Sequence, residues 1–300
     1  MTTNRSASAL ARLLALARQR GDNYNLLLNR FALERILHRL SVSDHADRFL
    51  LKGSLLFSLW YDEPHRPTRD ADLLCFGDDD AERLAVIFQG IASTHLDDGT
   101  TFDAASVRVD TIREDNIYGG LRVRLTGRIG SARCALQIDI GFGDAVTPAP
   151  ITAIFPALLS DFGSPRLRVY PVYTVIAEKY HAMVALGLAN SRMKDFFDLA
   201  TIAVRTELAG ATLARAIAAT FARRNTALPT VAPIALTKEF GDHPDKRRQW
   251  QAFLGKNQLT SIDLAGAVAL LYDLLWPATQ VAAAGSPAKA RWNPGRVAWE

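Results

Sequence analysis

Between Phe49 and Phe76 the sequence admits few architectures. Phe49-Leu50-Leu51 is a short apolar run that ends at Lys52-Gly53-Ser54. A second apolar stretch, Leu55 to Tyr61, leads to Arg66-Pro67-Thr68-Arg69-Asp70-Ala71-Asp72 and then to Leu73-Leu74-Cys75-Phe76. The order reads as strand, Gly-Ser bend, helix, strand. A helix over Leu55–Tyr61 would aim its N-terminal amides at whatever lies over Gly53 and Ser54. Side chains alternate along a strand, so Thr68, Asp70 and Asp72 are expected on one face of the segment.

The flanking pattern supplies a frame for that segment. Residues 6–20 place Leu10, Leu13, Leu14 and Ala17 on one helical face, and Gly21 stops the helix. Asp22 is placed to cap a second helix running through Leu40. Asp78-Asp79-Asp80 caps another through about Ser93. Leu121-Arg122-Val123-Arg124-Leu125 alternates as a half-buried strand should, with Arg122 and Arg124 on one side. A turn over Gly127–Ser131 joins it to Cys134-Ala135-Leu136-Gln137-Ile138-Asp139-Ile140, which predicts an antiparallel hairpin with Asp139 and Gln137 on the polar face.

Thr147 to Pro156 holds three prolines and marks the expected boundary. Helices are then expected over Val172–Leu188, Lys194–Arg205, Ala211–Arg223, Asp245–Leu254 and Ile262–Leu275. The tail from Thr279, rich in Ala, Gly and Pro, is expected on the surface, with Trp292 and Trp299 packing in part. The fold class is α+β: residues 1–155 form a lobe with a mixed β-sheet and flanking helices, and residues 156–300 form a mainly helical lobe.

Composition closes several other routes. Of 300 residues, 49% are hydrophobic and 22% charged, which suits a soluble globular chain. No apolar run approaches the ~20 residues of a membrane span, so no membrane partner is expected. Arg12, Arg18 and Arg20 recur through the first helix, unlike a signal peptide, and a cytoplasmic location is expected. Cys75 and Cys134 lie among apolar residues, as buried free thiols do. The net charge of +4 permits a nucleic-acid partner without demonstrating one. Gly127-Arg128-Ile129-Gly130 and Gly141-Phe142-Gly143 open no βαβ unit, so no dinucleotide cofactor is expected. No nucleophile–base arrangement or helix-turn-helix pattern is present.

The polar outliers fit one chemistry. Moving a nucleotide from a nucleoside triphosphate means in-line displacement of pyrophosphate, which two magnesium ions about 4 Å apart assist. Magnesium prefers hard carboxylate oxygens. Asp70 and Asp72 deliver two carboxylates side by side, and Asp139 on a neighbouring strand is the expected third. Three such acids without a cation would repel one another. Asp144, in a glycine-rich turn, is the alternative third ligand. Gly53 lets backbone approach a phosphate and Ser54 adds a hydroxyl donor. Lys179, mid-helix in Glu178-Lys179-Tyr180-His181, can meet a triphosphate as a point charge or serve as an ordinary exposed lysine. His181 reads as an ordinary polar neighbour. Arg192, Lys194, Asp195 and Asp198 read equally well as a charge network at a helix start. Arg122 and Arg124 read as a solvated face or as contacts for an RNA.

Taken together, these motifs resemble the AbiEii/AbiGii toxin family. The likeness is carried by Lys52-Gly53-Ser54, Arg66-x-Thr68-x-Asp70-x-Asp72, Ile138-Asp139-Ile140, Glu178-Lys179 and Lys194-Asp195-x-x-Asp198-Leu199. That family consists of nucleotidyltransferases of the DNA polymerase β-like superfamily and includes the MenT-type toxins. The resemblance covers roughly residues 30–205. It departs from the family pattern at Ala71, where a larger aliphatic residue is usual, and in the Glu63–Pro67 connection.

The resemblance implies a bilobed nucleotidyltransferase toxin with a cognate antitoxin encoded nearby. The toxin would move a nucleotide from an NTP onto an RNA 3′ end, that of tRNA. It implies that Gly53 and Ser54 bind the nucleotide's phosphates and that Asp70 and Asp72 hold magnesium, with Lys52 read as part of the nucleotide site and Asp139, from its strand position, as the third ligand. Lys179 would neutralise the triphosphate, and Asp195 and Asp198 would shape the nucleotide site. Transfer onto a protein hydroxyl, or a non-catalytic binding module, are the alternatives. Thr68, beside the acids, is a site where phosphorylation would add about −1.5 to −2 charges and act as a switch.

Overall fold

The computed structural model describes residues 4–61, 65–112, 119–285 and 289–300. The chain divides into two compact units, residues 1–143 with 151–170, and residues 144–150 with 171–300.

The first unit contains α1 (Arg5–Arg20), α2 (Tyr24–Ser41), β1 (Phe49–Lys52), α3 (Phe57–Trp60), β2 (Asp70–Cys75), α4 (Ala81–Ser93), β3 (Thr100–Thr111), β4 (Gly120–Ile129), β5 (Ala132–Phe142), β6 (Ile151–Ile154) and β7 (Arg166–Val169). Its seven strands form one sheet in the order β3-β4-β5-β2-β1-β7-β6. β2 runs parallel to β5 and β1 parallel to β7, while the other neighbouring pairs are antiparallel. The sheet is therefore mixed.

One face of this sheet is apolar. Leu121, Val123 and Leu125 on β4, Leu136, Ile138 and Ile140 on β5, and Ala71 and Leu73 on β2 are all buried. Helices α1, α2 and α4 pack on the sheet, and Cys134 Sγ on the apolar face reaches Leu28 O of α2. Both cysteines are buried free thiols, as expected. The opposite face carries the half-buried Asp70, Asp72, Gln137, Asp139 and Arg122.

Local chemistry explains most element ends. Gly21 closes α1 in the left-handed region at φ 70°. Asp22 donates its amide to Ala17 O, and the cap of α2 is Asn23, whose side chain accepts from the amides of Asn25 and Leu26. Asp80 caps α4 through the Arg83 amide, as expected. The helix expected over Leu55–Tyr61 is instead a 3₁₀ turn, Gly53–Leu56, running into the four-residue α3. It starts at the glycine itself, which leaves only a short turn and a small dipole behind the bend.

The division expected at 155/156 falls within the first unit. The hairpin of β6 and β7 returns there because Leu51 on β1 pairs in parallel with Val169 on β7. The Glu63–Pro67 connection lies partly outside the described residues.

The second unit contains α5 (Val172–Leu186), α6 (Met193–Arg205), β8 (Leu208–Ala209), α7 (Gly210–Arg223), α8 (Lys238–Asp242), α9 (Pro244–Asn257), α10 (Leu264–Ala284), β9 (Arg291–Asn293) and β10 (Ala298–Trp299). It is mainly helical. By length and composition α10 is long and apolar enough to cross a membrane, against the expectation that no apolar run approaches that length. It is the core helix of this unit: Ala267, Val268, Leu271, Leu274 and Leu275 are buried, and it packs on α6, α7 and α8. The tail is less superficial than its composition suggests, because α10 continues to Ala284 and Trp292 is fully buried, donating from Nε1 to Ala203 O at 2.6 Å. Trp299 meets the Trp292 ring edge-on at 5.5 Å. Residues 286–288 of the tail lie outside the described residues.

Candidate active site

In the first unit the sheet register assembles the predicted acids and the bend. Asp72 is the partner of Lys52 across the antiparallel β1–β2 pair. Across the parallel β2–β5 pair, Asp72 is the partner of Asp139 and Asp70 of Gln137. Hence Asp70, Asp72 and Asp139 share the open face, on adjacent strands spaced about 4.8 Å apart.

Each carboxylate is held by a different device. Thr68 Oγ1 donates to Asp70 Oδ1 at 2.7 Å. Asp72 lies against the bend: Gly53 sits at φ 71°, and a Cβ built on it would stand 2.6 Å from Asp72 Cγ and closer still to Oδ2. Only glycine supplies both that backbone angle and that space. Asp139 is taken by Arg122, whose Nε lies 2.8 Å from Oδ1 and whose Nη2 lies 2.9 Å from Oδ2. Gln137 Nε2 adds a third bond to Oδ1 at 3.2 Å.

Among the described residues no group of three or more His, Cys, Asp or Glu side chains is placed to hold a metal ion. Asp139 is on the right face but is engaged by an arginine. Arg122, read as solvated or as an RNA contact, is its partner, while Arg124 pairs with Asp110 at 2.5 Å on the exposed part of the sheet. The signal for the Arg122 pairing was present. A two-residue hairpin at Gly130-Ser131 pairs residue 129 with 132, and the same register sets 122 opposite 139.

Asp70 and Asp72 fit a divalent cation on the chemistry of their donors. They are hard oxygen ligands, half-buried and two residues apart on a central strand. The missing side chain at Gly53 lets the Asp72 carboxylate lie directly against the backbone of the bend. Lys52 Nζ stands 5.5 Å from the ring centroid of the buried Tyr170, a cation–π contact that steers the ammonium.

In the second unit, Lys179 on α5 is held by two acids of α6. Its Nζ lies 2.6 Å from Asp195 Oδ1 and 2.8 Å from Asp198 Oδ2. Arg192 Nε reaches Asp195 Oδ2 at 2.7 Å. Asp195 and Asp198 are fully buried, and three residues apart they share one helix face. Burial opposes ionisation of Asp195, but Lys179 and Arg192 outweigh it and hold its carboxyl below the usual range. Lys179 is therefore no ordinary exposed lysine.

A neighbouring group escaped the sequence reading. Arg224 follows α7 and contacts Asp144 at 3.5 Å and Glu178 at 3.8 Å. Its Nη1 lies 3.4 Å from His181 Nδ1, while His181 Nε2 is 2.8 Å from Thr226 Oγ1. Burial, with Arg224 adding to it, pushes the imidazole down to about 4. Asp144, the alternative third acid, thus belongs to the second unit and to an arginine there.

The first unit is a mixed sheet with flanking helices and the second is mainly helical. Residues 35–277 match the family described as "Nucleotidyl transferase AbiEii toxin, Type IV TA system", and the chain belongs to that family. Among solved structures, JHP933 from Helicobacter pylori is similar at 15% identity and a TM-score of 0.44, covering 87% of this chain and 92% of that one. A second H. pylori protein, provisionally described as a nucleotidyltransferase, is similar at 15% identity and a TM-score of 0.46, covering 87% and 98%. No curated protein matches the chain.

Proposed function

We propose that the protein is a cytoplasmic toxin that moves a nucleotide from an NTP to an RNA 3′-hydroxyl, that of tRNA, and that a cognate antitoxin restrains it. Family membership supports the nucleotidyl-transfer chemistry and the antitoxin. The observation that carries the site is the Asp70–Asp72 pair on the open sheet face, with Asp72 pressed against Gly53.

In this reading the RNA 3′-oxygen bonds to the α-phosphorus, the bond from that phosphorus to the β-phosphate bridge breaks, and pyrophosphate leaves. The hydroxyl proton passes to a carboxylate of the same face. Magnesium, two ions by this reading, supplies charge neutralisation at the attacking and leaving oxygens when bound. Asp70 and Asp72 hold it, with Asp139 as the third acid. Lys52, Gly53 and Ser54 receive phosphate at the bend. In the second unit, Lys179, Asp195 and Asp198 are the proposed nucleotide-binding group, the lysine as a cation for the triphosphate. Arg124 contacts RNA on the exposed part of the sheet. Thr68 is a regulatory phosphosite, since its hydroxyl already sits on Asp70.

The test is incubation of the protein with each radiolabelled NTP, magnesium, tRNA and cell lysate. Label on tRNA that disappears in folded Asp70→Ala protein is the expected result. Label on protein would move the acceptor to a protein hydroxyl. Full transfer by Asp70→Ala, or no magnesium-dependent NTP binding, would overturn the catalytic reading.

A further inference from the structure

The sheet carries a row of charges across its open face. Asp110 on β3 is the register partner of Arg122 on β4, Arg122 of Asp139 on β5, Asp139 of Asp72 on β2, and Asp72 of Lys52 on β1. Arg122 stands between two acids and gives both Nε and Nη2 to Asp139. Asp110 is served instead by Arg124. The Arg122–Asp139 pair is largely covered, with side-chain exposures of 25% and 18%, whereas Arg124 and Asp110 are more than half exposed. A fork-on-fork pair in such a place fixes both partners and is screened little by salt.

We infer that Arg122 is a positioning residue that acts as a built-in counter-ion for the third carboxylate, so that a divalent cation and Arg122 compete for Asp139. This deepens the metal reading above and rests on it. Asp72 and Asp139 start from paired positions on adjacent strands, where two bare carboxylates repel. Arg122 removes that repulsion with no metal present. Asp70 and Asp72 then hold the first cation, and full engagement of Asp139 requires the guanidinium to let go. The released Arg122 stays on β4 beside Arg124, where its charge becomes available to a phosphate. The two roles of Arg122, carboxylate partner and phosphate contact, thus become successive states of one side chain.

The experiment is equilibrium binding of Mn2+, read from the spin resonance of the free ion, on the whole chain and its variants. Arg122→Gln is expected to bind Mn2+ about tenfold more tightly than the parent, because a competing unit charge is gone. Arg122→Lys keeps the charge but loses the fork and should fall between the two. Asp139→Asn should bind much as the parent does, and Arg122→Gln combined with Asp139→Asn should lose the gain. A purely structural Arg122 would lower the thermal midpoint and leave these affinities unchanged; that result, or weaker binding by Arg122→Gln, overturns the inference. If Asp70→Asn leaves Mn2+ binding intact, the metal reading itself is wrong and the inference falls with it.

Discussion

Asp72 lies across the backbone of Gly53 so closely that residue 53 has room for a hydrogen and nothing larger. Gly53 directly follows β1 and Asp72 lies on β2, and their proximity follows from the register that pairs Lys52 with Asp72. Gly53→Ala would place a side chain at φ 71° and push Asp72 aside. The expected cost is about 1–3 kcal/mol of stability, together with loss of at least ~100-fold in transfer, since small displacements of a reacting constellation cost about that much. Ser54→Ala should lower transfer with little change in stability. Urea unfolding and a labelled-NTP assay on the same preparations separate the two effects.

Thr68 holds Asp70 through a 2.7 Å hydrogen bond. Thr68→Val keeps the shape and removes the donor, so transfer should fall by about tenfold, the value of one modest hydrogen bond at a positioned group. Thr68→Glu adds a negative charge beside the acids and should nearly abolish transfer while the protein stays folded. Activity and toxicity equal to the parent in Thr68→Glu would end the phosphosite reading.

Lys179 neutralises two fully buried carboxylates. Lys179→Ala leaves Asp195 with Arg192 and Asp198 with less, and breaking such a pair costs about 3–5 kcal/mol. Adding Asp198→Asn to Lys179→Ala should recover part of that stability and none of the transfer activity. Recovery of both would make the lysine structural only. Denaturant midpoints and nucleotide binding, measured together, decide between these.

Acid pH should act through His181. Its folded-state value, about 4, lies below the ordinary 6.5, so the unfolded chain takes the proton more readily. Stability from this group is complete above pH 6.5 and is lost as pH falls toward 4, by up to about 3 kcal/mol. Asp195 acts in a lower window: its depressed value means that its contribution holds above the ordinary carboxylate range and fails only as pH falls further. Stability curves of the parent and of His181→Gln should diverge in slope between pH 6.5 and 4. Parallel curves there would show that the imidazole titrates normally.

The elements legible in the sequence are those whose pattern is local. The 121–140 hairpin announced itself by strict alternation, and Asp70 and Asp72 by sitting two apart in an apolar run. Parallel pairing of β2 with β5 leaves no local mark, because it joins residues far apart in the chain. β6 and β7 are four residues each among prolines, too short for a period to show. Helix α2 read as largely apolar, yet Glu34, Arg35 and Arg39 are among its buried residues. Glu34 accepts the Leu158 amide, and Arg39 forks onto Asp98 at 2.7 and 3.1 Å; those partners lie 59 residues or more away. For a related reason the polar-face position of Arg122 is legible in the sequence, while its partner Asp139 requires the register.

The chain leaves the first unit at Gly143, returns at Ile151 and leaves again after Tyr170. A single cut after Tyr170 keeps the first unit whole but takes residues 144–150 from the second, so no single scission releases the second unit intact. A fragment ending at residue 143 would lack β6 and β7, and β1 would then offer a row of bare amides and carbonyls along Phe49–Lys52, inviting any passing strand. The first unit must wait for β7 to be synthesised, so an incomplete product of translation carries Asp70, Asp72 and Asp139 without a finished sheet to hold them.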